Sequence, residues 1–203
     1  MSGAIRLDRN DWSARRPFTH PGLAVRDCQI LIGLLRDVHK SRHAPPQIES
    51  PVRGRDRLVI TASGRRYDGE PLAIVGFFGE RNPAGSDEVA EGVERVNASM
   101  VADFDEFPIL LAYVSRMLDD GFNYANLVVL SGADGIEAWR EMPDHVVAVS
   151  ELAPNFYNSV RIYNGSLHAG LDHPEELELN VVKFWDYRGR RVWHATRDLS
   201  VAD

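Results

Sequence analysis

Apolar residues recur along the chain with two periods, and these periods predict the order of its elements. Over residues 23–39 the apolar positions fall three and four apart, the spacing of one helical face. Over residues 86–103 a serine suited to capping precedes valines with the same spacing, which predicts a second helix. A third helix is predicted over residues 132–152, with Ser131 as its cap and Pro143 as a kink or break.

The intervening segments are rich in β-branched and aromatic residues, which is typical of strands. The four strands predicted nearest the second and third helices cover residues 72–80, 108–118, 122–131 and 155–167. From residue 72 onward the order is therefore βαββαβ, the split pattern of the ferredoxin-like fold, and the predicted class is α+β with an antiparallel sheet. Two helices on one face of such a sheet leave the other face uncovered. We expect a second subunit, the flanking strands 57–63 and 177–197, or both to cover it.

The segments outside this unit predict an extension at each end. Residues 1–69 are interpreted as an N-terminal arm, a helix and an edge strand that pack on the main domain, and residues 70–203 as the ferredoxin-like domain with a C-terminal β-hairpin. The strand at 57–63 should form a hairpin with, or lie beside, the strand at 72–80. The proline-rich residues 40–55 predict an irregular surface loop. Gly76 and Gly79, inside a predicted strand, indicate a bulge or the close approach of another group.

Composition and charge narrow the class of protein. The 203 residues are 44% hydrophobic and 26% charged, as in globular domains. A net charge of −7 disfavours a nucleic-acid binder, because phosphate affinity depends on concentrated Lys and Arg. The first twenty residues contain no apolar signal region and no run of eighteen apolar residues occurs, so we expect a cytoplasmic protein without a membrane partner.

Chemical motifs are scarce. The single cysteine, Cys28, excludes an internal disulfide and a multi-cysteine metal site. Walker, G-x-S-x-G and H-E-x-x-H motifs are absent. The pairs His39 with His43 and His168 with His173 match no defined metal signature, so no metal site is predicted.

One stretch resembles a known family. The run from Asn126 to His145, NLVVLSGADGIEAWREMPDH, is similar to the strand-to-helix signature of the dimeric α/β-barrel superfamily, in particular antibiotic-biosynthesis monooxygenase-like proteins. That signature has an apolar strand, a small residue, an acidic and apolar first turn, then Trp or Phe and a His, here Trp139 and His145. The resemblance covers about residues 70–167.

The resemblance implies two ferredoxin-like units that pair sheet to sheet as a homodimer, with a pocket between each sheet and its helices. Members include cofactor-independent oxygenases acting on aromatic or polyketide compounds, polyketide cyclases, haem-binding and haem-degrading enzymes, and proteins without established activity. Because one fold hosts all of these, the reaction depends on the residues of the pocket.

Several polar and aromatic residues are candidates for that pocket. A neutral imidazole suits general-base work or metal ligation, so His145 is a candidate base. In haem-degrading relatives the position of His145 supplies the iron ligand, and a structural role is the alternative. The predicted catalytic residues are His145, Tyr113 and Asn126, and the predicted substrate contacts are Trp139, Tyr124, Tyr157, Arg161 and Tyr163. If Arg161 faces the pocket, it needs an anionic partner, either a substrate carboxylate or enolate or a protein acid.

The leading hypothesis is a small enzyme of secondary metabolism that binds an aromatic or polyketide-like substrate. It would act without a cofactor, by oxygenation or cyclisation with acid–base help. One alternative is a haem protein with His145 as the iron ligand, and another is a non-catalytic binding module for a small molecule.

Overall fold

The computed structural model describes residues 4–42, 56–69 and 71–200. Within these ranges eight strands form one sheet. They are β1 (Ile5–Leu7), β2 (Arg57–Ile60), β3 (Leu72–Arg81), β4 (Leu110–Met117), β5 (Tyr124–Leu130), β6 (Tyr157–Leu167), β7 (Glu178–Asp186) and β8 (Trp193–Asp198). Their order across the sheet is β1-β8-β7-β6-β3-β5-β4-β2, with β1 parallel to β8 and all other neighbours antiparallel.

The helices lie on both faces of this sheet. They are α1 (Gly22–Ser41), α2 (Ala62–Arg66), α3 (Asp87–Ala102), α4 (Gly135–Glu141), α5 (Pro143–Val147) and α6 (Ala153–Phe156). A π-helical turn, Ala148–Leu152, joins α5 to α6. In the part of the chain that the structure describes, no helix has the length and apolar character needed to span a bilayer.

The centre of the sheet confirms the ferredoxin-like prediction. Along the chain, β3, α3, β4, β5, the α4–α6 segment and β6 follow the βαββαβ order. In the sheet these strands are arranged β6-β3-β5-β4, so β3 and β5 are the central pair and β6 and β4 lie on either side of it. The remaining strands extend the sheet sideways, with β2 beyond β4 and β7, β8 and β1 beyond β6.

The face opposite α3 is covered by α1 of the same chain. Leu31, Leu34 and Leu35 of α1 are 0–1% exposed and belong to the same apolar cluster as Ile74 and Phe78 of β3. The expectation that the flanking strands would cover this face is wrong, because they continue the sheet instead of lying across it. The helix that was predicted to pack on the main domain, without a stated face, supplies the cover.

Gly76 explains how closely α1 approaches the sheet. A Cβ atom at this position would lie 2.5 Å from Cδ1 of Leu31, closer than such atoms approach in proteins. At Gly79 a Cβ atom would lie 2.2 Å from Cε1 of Tyr157. The predicted close approach at both glycines is therefore confirmed, one on each face of β3.

The first predicted strand is shorter than expected. β2 ends at Ile60, and the hydroxyl of Thr61 accepts a hydrogen bond from the Gly64 amide at 2.9 Å, which caps α2. The same hydroxyl donates to the carbonyl of Leu110 at 2.6 Å. The predicted pairing of this strand with residues 72–80 is wrong, because β2 pairs with β4 at the sheet edge.

The third predicted helix is divided. It begins at Gly135 without the capping hydrogen bond expected from Ser131, and it breaks after Met142, before Pro143, as predicted. Pro154 lies in the first turn of α6, where proline is tolerated. Most of the predicted loop at residues 40–55 lies outside the described residues.

Candidate functional site

A cavity of about 160 Å³ lies between the sheet and the helices α3, α5 and α6. Strand alternation places side chains two apart on one face, so β4 and β5 each present two polar residues to this cavity. Six of the eight predicted site residues line it, namely His145, Tyr113, Asn126, Trp139, Tyr124 and Tyr157. The structure thus brings together all three predicted catalytic residues.

His145 is the chemically distinctive residue of the cavity. It lies in α5, directly before the π-helical turn, a feature often found at functional sites. Burial lowers the pKa of its imidazole, the backbone of Arg140 partly opposes this effect, and the positive charge of Arg140 adds to the lowering. Its Nδ1 is buried and has no hydrogen-bond partner. The ring is therefore neutral at pH 7 and has a nitrogen free to accept a proton.

An aromatic wall holds the imidazole in place. The indole of Trp139 is 6% exposed, and its ring centre lies 4.9 Å from that of His145. Tyr113 also packs against this indole, with ring centres 6.3 Å apart, and Phe104 contacts both rings. Because Trp139 packs against both the His145 imidazole and the Tyr113 ring, it fixes the shape of this end of the cavity.

Tyr113 is a hydrogen-bond donor. Its hydroxyl donates to Oδ1 of Asn97 on α3 at 3.1 Å. Burial raises the pKa of Tyr113 to about 12, which outweighs the opposing effects of Ser115 and Arg57. The phenol therefore keeps its proton at neutral pH, so Tyr113 serves as a donor or as part of the wall and does not act as a base.

Tyr157 forms a second apolar wall. Its ring packs against Phe77 and Phe156, with ring centres 5.2 Å and 4.8 Å away. Burial raises the pKa of its hydroxyl far above the ordinary value, so this phenol is also neutral. The missing side chain at Gly79 provides the space that the ring occupies.

Asn126 carries the second unpaired polar atom of the cavity. Its side chain lies on β5, two residues from Tyr124 and from Val128. Its Oδ1 is buried and has no hydrogen-bond donor in contact with it. A buried carbonyl oxygen without a donor is costly, which makes this atom a place where a ligand group would bind.

Arg161 and Tyr163 lie outside the cavity, on the opposite face of the sheet. Nε of Arg161 donates to Oδ2 of Asp27 at 2.8 Å, and the hydroxyl of Tyr163 donates to the same oxygen at 2.9 Å. The anionic partner that Arg161 requires is therefore a protein carboxylate on α1. These two residues are buried at the α1 interface and do not meet the other six predicted residues.

Sequence reasoning missed Asn97. It lies on the apolar stripe of α3, four residues after Val93 and three before Met100, and it lines the cavity beside Glu94. A polar residue on an otherwise apolar stripe was the available signal. Among the described residues of the lining, Glu94 is the only Asp, Glu, Lys or Arg, and it pairs with Arg57 at 3.2 Å.

The cavity does not fit a haem. Pockets for drug-sized ligands measure roughly 300–1,000 Å³, and a haem is at least as large as such a ligand. The cavity at His145 is about 160 Å³ and its walls are the buried rings of Trp139 and Tyr113. Among the described residues, no group of three or more His, Cys, Asp or Glu side chains is placed to hold a metal ion, and His43 lies outside them.

No protein-family model and no curated protein matches the chain. Among solved structures, the chain is similar to a dimeric ferredoxin-like protein of unknown function from Thermobifida fusca, with 19% identity and a TM-score of 0.37. It is also similar to SnoaB, a cofactor-independent oxygenase from Streptomyces nogalater, with 20% identity and a TM-score of 0.36. These alignments cover 50% of this chain and 93% and 94% of the two neighbours, respectively. At such identities the likeness concerns the fold alone.

Proposed function

We propose that the protein is an enzyme that binds a hydroxylated aromatic compound in the cavity and uses His145 as a general base. The observation that carries this proposal is the unpaired, buried Nδ1 of a histidine whose pKa is held below its ordinary value. A base with this property accepts a proton at neutral pH without first losing one. The aromatic wall formed by Trp139 and Tyr113 supports a planar ligand.

The reaction that we propose is oxygenation without a cofactor. His145 removes the proton of a ring hydroxyl, and the electron-rich ring carbon para to that hydroxyl bonds to dioxygen as a peroxide. The protonated imidazole returns its proton to the peroxide, and the O–O bond breaks as the ring C–H is lost. One oxygen atom becomes a new carbonyl and the other leaves as water, so that a phenol and O₂ give a quinone and H₂O.

The surroundings of His145 support this chemistry. The predominantly apolar lining of the cavity limits the water that would stabilise the charge of the deprotonated ring and reprotonate it. Tyr113, kept protonated by a pKa of about 12, adds no negative charge to the same wall. The described residues that line the cavity include no Lys or Arg, and a carboxylate substrate would need such a cation to hold it.

Oxygen consumption with resorcinol tests the proposal, because resorcinol has a carbon para to a hydroxyl and fits a small cavity. The purified chain should consume one O₂ per quinone formed, and with ¹⁸O₂ the quinone should carry one labelled oxygen. A His145→Gln variant should lose at least 99% of the rate, since general-base catalysis contributes roughly 10²–10⁴-fold. His168→Gln is the matched control, because His168 is exposed and does not line the cavity.

The proposal would be overturned by an oxygen uptake of His145→Gln equal to that of the parent chain, or by hydrogen peroxide in place of labelled quinone. It would also be overturned by no uptake above buffer by the folded parent chain. Product formed without oxygen uptake would indicate an acid–base reaction such as cyclisation and would likewise contradict oxygenation.

We also propose that a homodimer of this chain forms without displacing α1. The sequence resemblance implied pairing through the sheet face, but Leu31, Leu34 and Leu35 of α1 occupy that face and are almost fully buried there. Buried apolar contacts of this kind are lost only at considerable free-energy cost. A partner subunit would therefore bind another surface.

A further inference from the structure

We infer that Asn126 determines specificity and selects a neutral, single-ring compound with two hydroxyl groups. The inference deepens the proposed function, because it concerns the ligand of the same cavity. One hydroxyl would donate to Nδ1 of His145, and the second would donate to Oδ1 of Asn126.

The two hydroxyl groups follow from two unmet acceptors. Nδ1 of His145 and Oδ1 of Asn126 are both buried, both without a partner, and both on residues that line the same cavity. Tyr113 and Asn97 also line the cavity, but their side chains already form a 3.1 Å hydrogen bond with each other. A ligand that offers only one donor would leave the other acceptor buried and unsatisfied, which weakens its binding.

The size of the ligand follows from the volume of the cavity. A cavity of about 150 Å³ lined by apolar side chains binds benzene. The cavity here measures about 160 Å³. One substituted ring therefore matches this volume, and a fused second ring exceeds it.

The neutral character of the ligand follows from the charges around it. Within the described lining, Glu94 is the single formal charge and it is negative, although Arg57 pairs with it. His145 is neutral at pH 7 because its pKa is lowered. Arg161, the cation that could have bound a carboxylate, is held by Asp27 on the other face. A carboxylate-bearing ring would enter this cavity without a counter-charge.

Binding measurements by NMR titration at pH 7.5 test the inference with toluene, phenol and the three benzenediols. The best benzenediol should bind the parent chain at least fivefold more tightly than phenol. This factor corresponds to the lower end of the cost of one unsatisfied acceptor. Phenol should in turn bind more tightly than toluene. In Asn126→Leu, which keeps the side-chain volume but removes the oxygen, the preference for a benzenediol over phenol should disappear. Asn180→Leu is the matched control, because Asn180 is exposed on β7.

The outcomes separate this inference from the proposed function. A benzenediol that binds no better than phenol, a naphthalenediol that binds as well as the best benzenediol, or benzoate that binds as well as phenol would overturn it. The ligand series on the parent chain gives this answer even if Asn126→Leu does not fold. If the preference holds but oxygen uptake fails, the specificity inference stands and the oxygenase proposal falls.

Discussion

Nε of Arg161 on β6 donates a hydrogen bond to Oδ2 of Asp27 on α1 at 2.8 Å, across 134 residues of sequence. Asp27 is 0% exposed and Arg161 is 7% exposed, so the pair is buried between the helix and the sheet. Tyr163 donates to the same carboxylate oxygen, and Arg26 contacts the other one. This cluster fixes α1 over the face that a ferredoxin-like unit leaves open.

Removal of the carboxylate should destabilise the fold. Asp27→Ala leaves the Arg161 guanidinium buried without its partner, and loss of one member of a buried ion pair costs about 3–5 kcal/mol. The measurement is the free energy of unfolding from urea denaturation. The control is Asp37→Ala on the same helix, whose half-exposed pair with Arg116 should contribute at most about 1 kcal/mol. Equal losses in both variants would contradict the anchoring role of Asp27.

A methyl group at position 76 should separate α1 from the sheet. Gly76→Ala places a Cβ atom 2.5 Å from Cδ1 of Leu31, and overpacking of this kind costs about 1–3 kcal/mol. Thermal unfolding measures the loss. Gly33→Ala, inside α1 and with no atom within 4 Å of the new Cβ, should instead stabilise the protein by about 0.5–1 kcal/mol. A Gly76→Ala protein as stable as the parent would show that α1 does not lie as close to β3.

The activity should decrease as the pH falls below the ordinary histidine pKa. The base acts only when unprotonated, and the pKa of His145 is lowered by burial. The value of kcat/KM for resorcinol should therefore stay above half of its maximum at pH 6.5, the ordinary histidine pKa, and should fall as the pH decreases further. An acid limb with its midpoint above pH 6.5 would be inconsistent with a buried, neutral base.

The backbone of α1 should be protected at every protein concentration. If dimer formation leaves this helix in place, amide exchange at Leu31, Leu34 and Leu35 should be the same at high and at low micromolar concentration. Hydrogen exchange followed by NMR measures this directly. Protection that decreases on dilution would mean that a second subunit, and not the sheet of the same chain, buries the helix.

The sequence predicted the ferredoxin-like unit because its strands and helices carry regular apolar periods. It also named Tyr113, Tyr124 and Asn126 as candidates for the pocket, and the structure places all three in the lining of one cavity, because two-residue alternation on β4 and β5 puts them on one face. The same alternation left open which face Arg161 occupies. Its position depends on Asp27, a partner distant in sequence that no local pattern on β6 reveals.

Two other features depend on tertiary contacts and could not be predicted. The periodicity of α1 indicated one apolar face but not the surface it covers, because an amphipathic helix fits many apolar surfaces. The volume of the cavity depends on how Trp139 and Tyr157 pack, which a sequence of apolar residues does not specify.

The central claim is that His145 is a neutral base with a free nitrogen inside a ligand cavity. The most direct test is a pH titration of the His145 imidazole by ¹⁵N NMR, with and without a saturating benzenediol. We predict a pKa below 6.5 in the free protein and a change in the Nδ1 resonance when the ligand hydroxyl donates to it. A pKa at or above 6.5, together with an Nδ1 resonance that the ligand leaves unchanged, would contradict the account.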